Sequence, residues 1–426
     1  MPDGSATAHL YRPKLATTLA EGYGLAAFRQ DAMAGLTVAI LALPLSMAIA
    51  VASGVSPARG LYTAIVGGFL VSAVGGSRYQ VGGPAGAFIV LVAATVARHG
   101  VNGLLLTVLV SGLLLTLAGA LRLGSLIRHI PHAVTVGFTA GIAVTIAASQ
   151  IKDLAGLTLG AEPGPVVPKL IALGQALPTA SPAALGLGLG VAATIFAVKR
   201  LRPAWPGMLI AVAAGAAAAW ALHLPVATIG SQFGGIPHAL PAPRPPVFNL
   251  TLLVQILPAA LSFTLLGAVE SLLSATVADR MTGRRHRSNM ELVAQGVANV
   301  ASAFFGGIAV TGTVARTATN IRAGARSPVA GMLHAVLLLV FMLVAAPLAS
   351  YVPLAALAGL LIVVSWNMVE KAEFARLLRD RRAGAVLLAT FLLTLARDLT
   401  TGILAGCALA ALFWAVSRLQ RRWANP

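Results

Sequence analysis

Apolar runs, interrupted by short polar and basic stretches, cover most of this 426-residue chain. Each is read as a helix that spans or half-spans a bilayer, for which about 20 apolar residues make a full crossing. In the first half the runs are 34–52, with Pro44 in mid-span, then 61–74, 84–97, 103–121, 133–151, 183–198 and 206–222. In the second half they are 256–278, 289–305, 311–321, 329–349, 355–368, 383–396 and 399–416. The pattern predicts an all-α polytopic membrane protein of 14 segments, seven on each side of a Pro-rich polar connection. An odd number per half makes the halves insert with opposite orientation, as inverted repeats. The expected organisation is an N-terminal segment 1–33, a first repeat 34–222, a connection 223–255, a second repeat 256–417 and a tail 418–426.

Composition agrees with a membrane chain. It is 58% hydrophobic and 10% charged, with mean hydropathy +0.87, against roughly 25% charged residues in a soluble domain. The first residues lack the apolar core and small-residue cleavage site of a signal peptide. The lone cysteine, Cys407, excludes a disulfide framework or thiolate metal site. The formal charge of +18 could suggest nucleic acid, but the basic residues cluster in loops between spans and do not interleave with aromatics. Lys199-Arg200, the loop 280–287, the segment 371–382 and the tail Arg418, Arg421 and Arg422 all fall on one side. By the positive-inside rule that side is cytoplasmic, which puts both termini inside a cell (inner) membrane.

Two stretches break the apolar rhythm. Residues 306–317, GGIAVTGTVART, carry glycines, threonines and an arginine inside an apolar region. The third segment is preceded by Gly82-Gly83-Pro84-Ala85-Gly86. The two breaks lie at matching places in the two halves, as do Ile130-Pro131-His132-Ala133-Val134 and Val352-Pro353-Leu354-Ala355-Ala356. Paired interrupted segments in inverted halves point to a transporter's midplane site. The third and tenth segments are expected as short half-helices whose N-termini meet. Their free N–H groups and positive dipole ends attract anions.

Two charges sit deep in these segments, Glu270 and Arg316. Each costs at least about 2.5–3.5 kcal/mol to place at the bilayer centre, so they are expected to face one another. Thr313 lies three residues before Arg316 and Ser274 four after Glu270, each pair on one helical face. Glu270 either titrates, coupling anion movement to H⁺, or stays ionised and helps hold Na⁺. His129 and His132 alone are weak metal ligands. No phosphate-binding Gly-rich loop or nucleophile elbow is present, so neither an enzyme nor a cofactor is expected.

Four blocks, in order, resemble the SulP (sulfate permease) family of anion transporters. They are Pro44 with Ser53 to Tyr62, then Gly76 to Pro84, then Glu270 to Ser274 with Val277-Ala278-Asp279, then Thr313 to Gly331. The resemblance implies seven plus seven helices, a core domain moving against a gate domain, and an anion held between the N-termini of the third and tenth helices. It assigns substrate contacts to Gly83, Pro84, Ala85, Gly86, Gly312, Thr313 and Arg316, with Leu45 and Ile49 from the first helix, and ion coupling to Glu270 and Ser274. Leu45 and Ala85 stand where many members carry polar groups. The chain stops at Pro426 without the STAS domain typical of the family, whose members often form homodimers. The expected function is secondary active transport of sulfate or a similar small anion, by H⁺ or Na⁺ coupling or by exchange. Bicarbonate or a small dicarboxylate is an alternative cargo, and a passive anion channel or a non-transporting receptor an alternative class.

Overall fold

The computed structural model describes residues 11–124, 131–159, 163, 166–203, 205–397 and 399–424, without the side chains of 399–400 and 417–424. His129, Ile130 and the last two residues of the predicted tail lie outside the described residues. The first half holds α1 (Lys14–Ala20), α2 (Leu25–Ala52), α3 (Pro57–Val74), α4 (Gly86–Ala120), α5 (His132–Ala155), α6 (Val166–Ala176), α7 (Pro182–Leu201) and α8 (Gly207–Ala221). A short α9 (Ile229–Phe233) lies in the connection. The second half holds α10 (Leu250–Thr282), α11 (Ser288–Phe304), α12 (Val314–Arg322), α13 (Val329–Ala349) and α14 (Leu354–Met368), then α15 (Lys371–Leu378), α16 (Arg381–Ala396) and α17 (Leu399–Ala424).

Each predicted apolar run falls in one of these helices. The third and fourth share α4, which turns at Gly100, where φ is 67° and ψ is −175°. Among the described residues seven helices are long and apolar enough to cross a membrane in one piece. Others, such as α11 and α12, are shorter, and the apolar part of α17 is limited to Thr401–Val416. α10 begins inside the predicted connection because Asn249 caps it, its Oδ1 accepting from Thr251 N at 2.8 Å. α17 runs on through the predicted tail to Ala424. Elsewhere Ser181 and Pro182 start α7 and the Asp380 carboxylate starts α16, each accepting from first-turn amides.

The helices pack in two groups. α2, α3, α4 and α10 to α13 form one: α4 lies on α10 and α11, while α13 lies on α2 and α3. The exchange, in which each half's opening helix packs on the other half's fourth segment, is what inverted repeats produce. α5, α7, α8, α14, α16 and α17 form the second group, centred on α5 against α14 and α16. There a Cβ on Gly359 would lie 2.2 Å from the Gly188 carbonyl oxygen, so the α7–α14 crossing needs bare backbone.

Backbone that leaves a helix inside a bilayer must find partners within the protein. Here α11 supplies most of them. Its Glu291, Gln295, Asn299 and Ser302 are all buried and follow one side of the helix. Glu291 Oε2 accepts from Gly76 N at 2.9 Å and Ser77 N at 3.0 Å, and Oε1 accepts from Gln80 Nε2 at 2.9 Å. These bonds hold the first break. Asn299 exchanges two bonds with Val310, 2.8 Å and 2.9 Å, and Ser302 Oγ donates to Ile308 O at 2.7 Å. From α3, at a π-helical turn over Thr63–Gly67, Thr63 Oγ1 accepts from Ile308 N at 2.7 Å. Arg59 donates to Gly306 O at 2.6 Å, completing support of the second break.

Asn299→Leu keeps the size of the side chain but strands the N–H and carbonyl of Val310. Each stranded buried group costs about 1–3 kcal/mol. Thermal unfolding of the purified variant in detergent should therefore show a clearly lowered Tm. A Tm equal to that of the parent would mean the second break is held by other contacts.

Candidate functional site

The two breaks meet as a short antiparallel ladder. β1 (Gly82–Gly83) pairs with β2 (Thr311–Gly312) in the register Gly82 with Gly312 and Gly83 with Thr311. Thr313 N donates to Val81 O at 3.2 Å, and Val81 N donates to Thr317 Oγ1 at 3.2 Å. The ladder places the first turns of α4 and α12 beside each other, as the paired breaks predicted. It also moves the start of the tenth helix from the expected residue 311 to Val314, because Thr311 and Gly312 are extended.

Neither helix start is capped by a side chain. Ala85 precedes the first turn of α4 and has nothing to offer, and Thr313 precedes α12 without a cap bond. Thr313 Oγ1 is buried and has no partner. Val314 and Ala315 are exposed, whereas Arg316 and Thr317, one step on, are fully buried. The first amides of α12 therefore stand at an open face with no intrahelical acceptor. Gly86 faces the second group of helices: a Cβ there would lie 3.3 Å from Ile146 Cδ1 of α5 and 3.7 Å from Met368 Sδ of α14. Leu45, Ile49 and Ala85 are buried and keep this surrounding apolar.

Arg316 is the largest fully buried side chain described. Its Nη2 donates to Ser46 Oγ at 3.0 Å and Pro84 O at 3.3 Å, and Nη1 donates to Gly82 O at 3.4 Å, while Nε has no partner. All these acceptors are neutral, so the guanidinium ties α12 to the first break and to α2 while its charge stays uncompensated. A Cβ on Gly83 would sit 1.8 Å from Nη1, and one on Gly312 would sit 1.7 Å from Gln80 Nε2. Those two glycines are required by close approach. Pro84 contributes its carbonyl.

The expected Glu270–Arg316 ion pair is not formed. Glu270 makes no ion pair among the described residues, and its buried Oε2 has no hydrogen-bond partner. Spacing fixes which residues share a face of their own helix, not which neighbour that face meets. The Arg316 face turns to the ladder and α2, where carbonyls and a hydroxyl receive it. Ser274 meets α12 one turn on from Thr313, donating to Thr317 Oγ1 at 3.2 Å. Ser271 joins Thr311 at 2.9 Å between hydroxyls. α10 thus supports the ladder through Ser271 and α12 through Ser274, the two serines that follow Glu270. Away from the site His132 pairs with Glu373 at 2.9 Å, and Arg376 also donates to that carboxylate, which holds it below the usual range. Among the described residues no group of three His, Cys, Asp or Glu side chains could hold a metal ion.

Sequence reasoning passed over several residues of this assembly. Ser46 is a lone hydroxyl beside Pro44 in an apolar helix, a visible signal. Glu291, Gln295 and Asn299 recur every fourth residue along α11, a polar stripe in a segment read only as short. His334 gave less warning: it is fully buried in α13, with both ring nitrogens unpartnered.

The model of the sulfate permease family matches residues 28–391. The putative sulfate transporter YvdB of Bacillus subtilis is 43% identical over 397 residues, covering 92% of this chain and 75% of that protein. The bicarbonate transporter BicA of Picosynechococcus is 31% identical over 394 residues, covering 90% and 69%. Among solved structures, the transmembrane domain of a cyanobacterial BicA matches with TM-score 0.79 at 30% identity, covering 89% of this chain and 98% of that one. Murine Solute Carrier 26 family member A9 matches with TM-score 0.87 at 18% identity, covering 98% and 73%, a likeness of fold alone. The family match spans the ladder, α10 to α13 and both uncapped helix starts, and the chain belongs to the sulfate permease family.

Proposed function

We propose that this protein is a secondary active carrier that moves a small anion, sulfate or bicarbonate, across the membrane by alternating access. One observation carries the reading: two uncapped helix N-termini converge on a buried arginine that has no carboxylate partner. An anion seated there would accept from the free amides of Val314, Ala315 and the first turn of α4, and would supply the missing counter-charge. Arg316 acts largely by position and field, since its guanidinium is committed to Gly82, Pro84 and Ser46. Binding energy would thus come mainly from backbone donors, which accept any small anion. The relatives' names include both a putative sulfate transporter and bicarbonate transporters. A small dicarboxylate is the remaining alternative.

Transport by the core helices moving against α5, α7, α8, α14, α16 and α17 fits the apolar seam at Gly86, Ile146 and Met368. Glu270, unpaired beside the serines that support the ladder and α12, is the coupling group in this reading, taking H⁺ or contributing to a Na⁺ site with Ser274. The basic loops support an orientation with both termini cytoplasmic in the cell membrane. Homodimer formation enters the proposal on the family resemblance alone.

Purified protein in liposomes should accumulate labelled sulfate or bicarbonate under an imposed pH or Na⁺ gradient. Flux that only equilibrates, at rates beyond carrier turnover, would favour a channel, and no uptake of any anion would sink the transporter reading. Arg316→Ala should weaken anion binding about tenfold or more, the scale of a lost charged interaction. Arg316→Lys should restore part of it, by keeping the charge without the fork that holds two carbonyls and Ser46. Equal binding in all three proteins would remove Arg316 from the site. Glu270→Gln should keep anion binding and abolish gradient dependence; uptake that still follows the gradient would exclude Glu270 as the coupling group.

A further inference from the structure

A second cavity, of about 350 Å³, opens at the end of the molecule that carries the N-terminal segment. Its lining includes Glu21 and Tyr23 ahead of α2, Arg78 from the first break, Arg284 from the α10–α11 loop, and Arg326 and Ser327 from the α12–α13 loop. It shares no residue with the helix starts and Arg316 described above.

The wall is basic and unevenly satisfied. Arg78 is nearly buried and paired with Glu21, which is half exposed. Tyr23 and Ser327 are occupied, since both hydroxyls donate to Asp31 Oδ2, at 2.7 Å and 2.5 Å. The guanidinium groups of Arg284 and Arg326, in contrast, make no hydrogen bond or ion pair with described residues and are exposed at the mouth. Three guanidinium charges stand against the Glu21 carboxylate in the lining and the Asp31 carboxylate directly behind it, which leaves an excess of about one positive charge. The surroundings add to it. Arg287 bonds to Arg12 O and Thr17 Oγ1, and burial together with repulsion from Arg12 and Arg78 lowers its proton affinity. Lys14 is likewise lowered, by burial and then by Arg287 and Arg78. Five cations thus crowd one end of the protein, around Glu21, an Asp31 engaged by Tyr23 and Ser327, and an Asp279 engaged by His286 at 2.6 Å.

We infer that this cavity is a binding site for a phosphomonoester dianion, separate from the transport site and read by Arg284, Arg326 and Arg78. A phosphomonoester carries about −1.5 to −2 at pH 7, opposite in sign to the basic wall, and offers oxygens that planar guanidinium groups bind two at a time. The volume exceeds that of a bare tetrahedral ion and suits a phosphate on a sugar-sized body. The same ligand chemistry can come from a membrane phospholipid headgroup or a soluble sugar phosphate. Glu21 is a built-in competitor for Arg78. An occupant would bridge the loop leading to β1 and the loop leaving α12.

The test uses the full chain in nanodiscs, with binding followed by calorimetry. The soluble arm titrates inositol monophosphate into phosphatidylcholine nanodiscs, and the lipid arm compares those nanodiscs with ones containing phosphatidylinositol 4-phosphate, by thermal stability. Binding in either arm, lost by about tenfold for each of Arg284→Gln and Arg326→Gln and tightened several-fold by Glu21→Gln, supports the site; the responding arm names the source. Tm values without ligand check that the variants fold as the parent does. Binding unchanged in the double arginine variant would overturn the proposal. So would equally tight competition by sulfate, which would make the cavity an entry vestibule for transported anions.

Discussion

The structure depends on one constraint: two stretches of backbone leave helical geometry inside an apolar layer, and every N–H and carbonyl so released needs a partner. One helix, α11, meets most of that demand. Glu291 gathers the first break and Asn299 with Ser302 gathers the second, while α3 adds Thr63 and Arg59. The breaks then satisfy each other through the Gly82–Gly312 ladder. Among the groups left unsatisfied are the first amides of α12, at an open face, and the buried Thr313 hydroxyl beside them. These donors are free for a ligand.

Charge follows the same logic. Arg316 is buried on carbonyl oxygens and a hydroxyl, and Glu270 is half-buried, its Oε2 fully so, with no cation paired to it among the described residues. Had they paired directly, the site would carry no net attraction for an anion, and the pair would resemble a structural bridge whose desolvation roughly cancels its Coulomb gain. Held apart, each charge is costly alone, and each is relieved by a mobile ion of opposite sign. That separation is a physical basis for linking the binding of an anion to that of a cation or proton.

Much of this was legible in the chain. The apolar runs located the principal helices, since a lipid-facing helix must be apolar over most of its surface. The glycine breaks located the ladder, because only bare backbone allows Arg316 to lie against Gly83 and Gln80 against Gly312. Partner choice was not legible. Thr313 with Arg316 and Glu270 with Ser274 share faces as their spacing requires, yet Arg316 meets Ser46 of α2 and not Glu270, while Ser274 meets Thr317. The supporting residues were missed for a related reason. Glu291, Gln295 and Asn299 read as isolated polar positions until their spacing of four is set against an apolar helix whose neighbours have lost their own hydrogen bonds. Helices such as α6 and α15 are too short or polar to register as spans, and show only in the structure, where α6 packs on α5 and α15 on α16.

The central claim is that the anion sits between the uncapped starts of α4 and α12, beside Arg316. Selenate, a tetrahedral analogue of sulfate with a strong anomalous signal, can be located directly by diffraction from crystals grown with it. The account predicts one strong peak within hydrogen-bonding distance of the Val314 and Ala315 amides, facing the first turn of α4. A peak at any other buried position, with this one empty at saturating selenate, would contradict it.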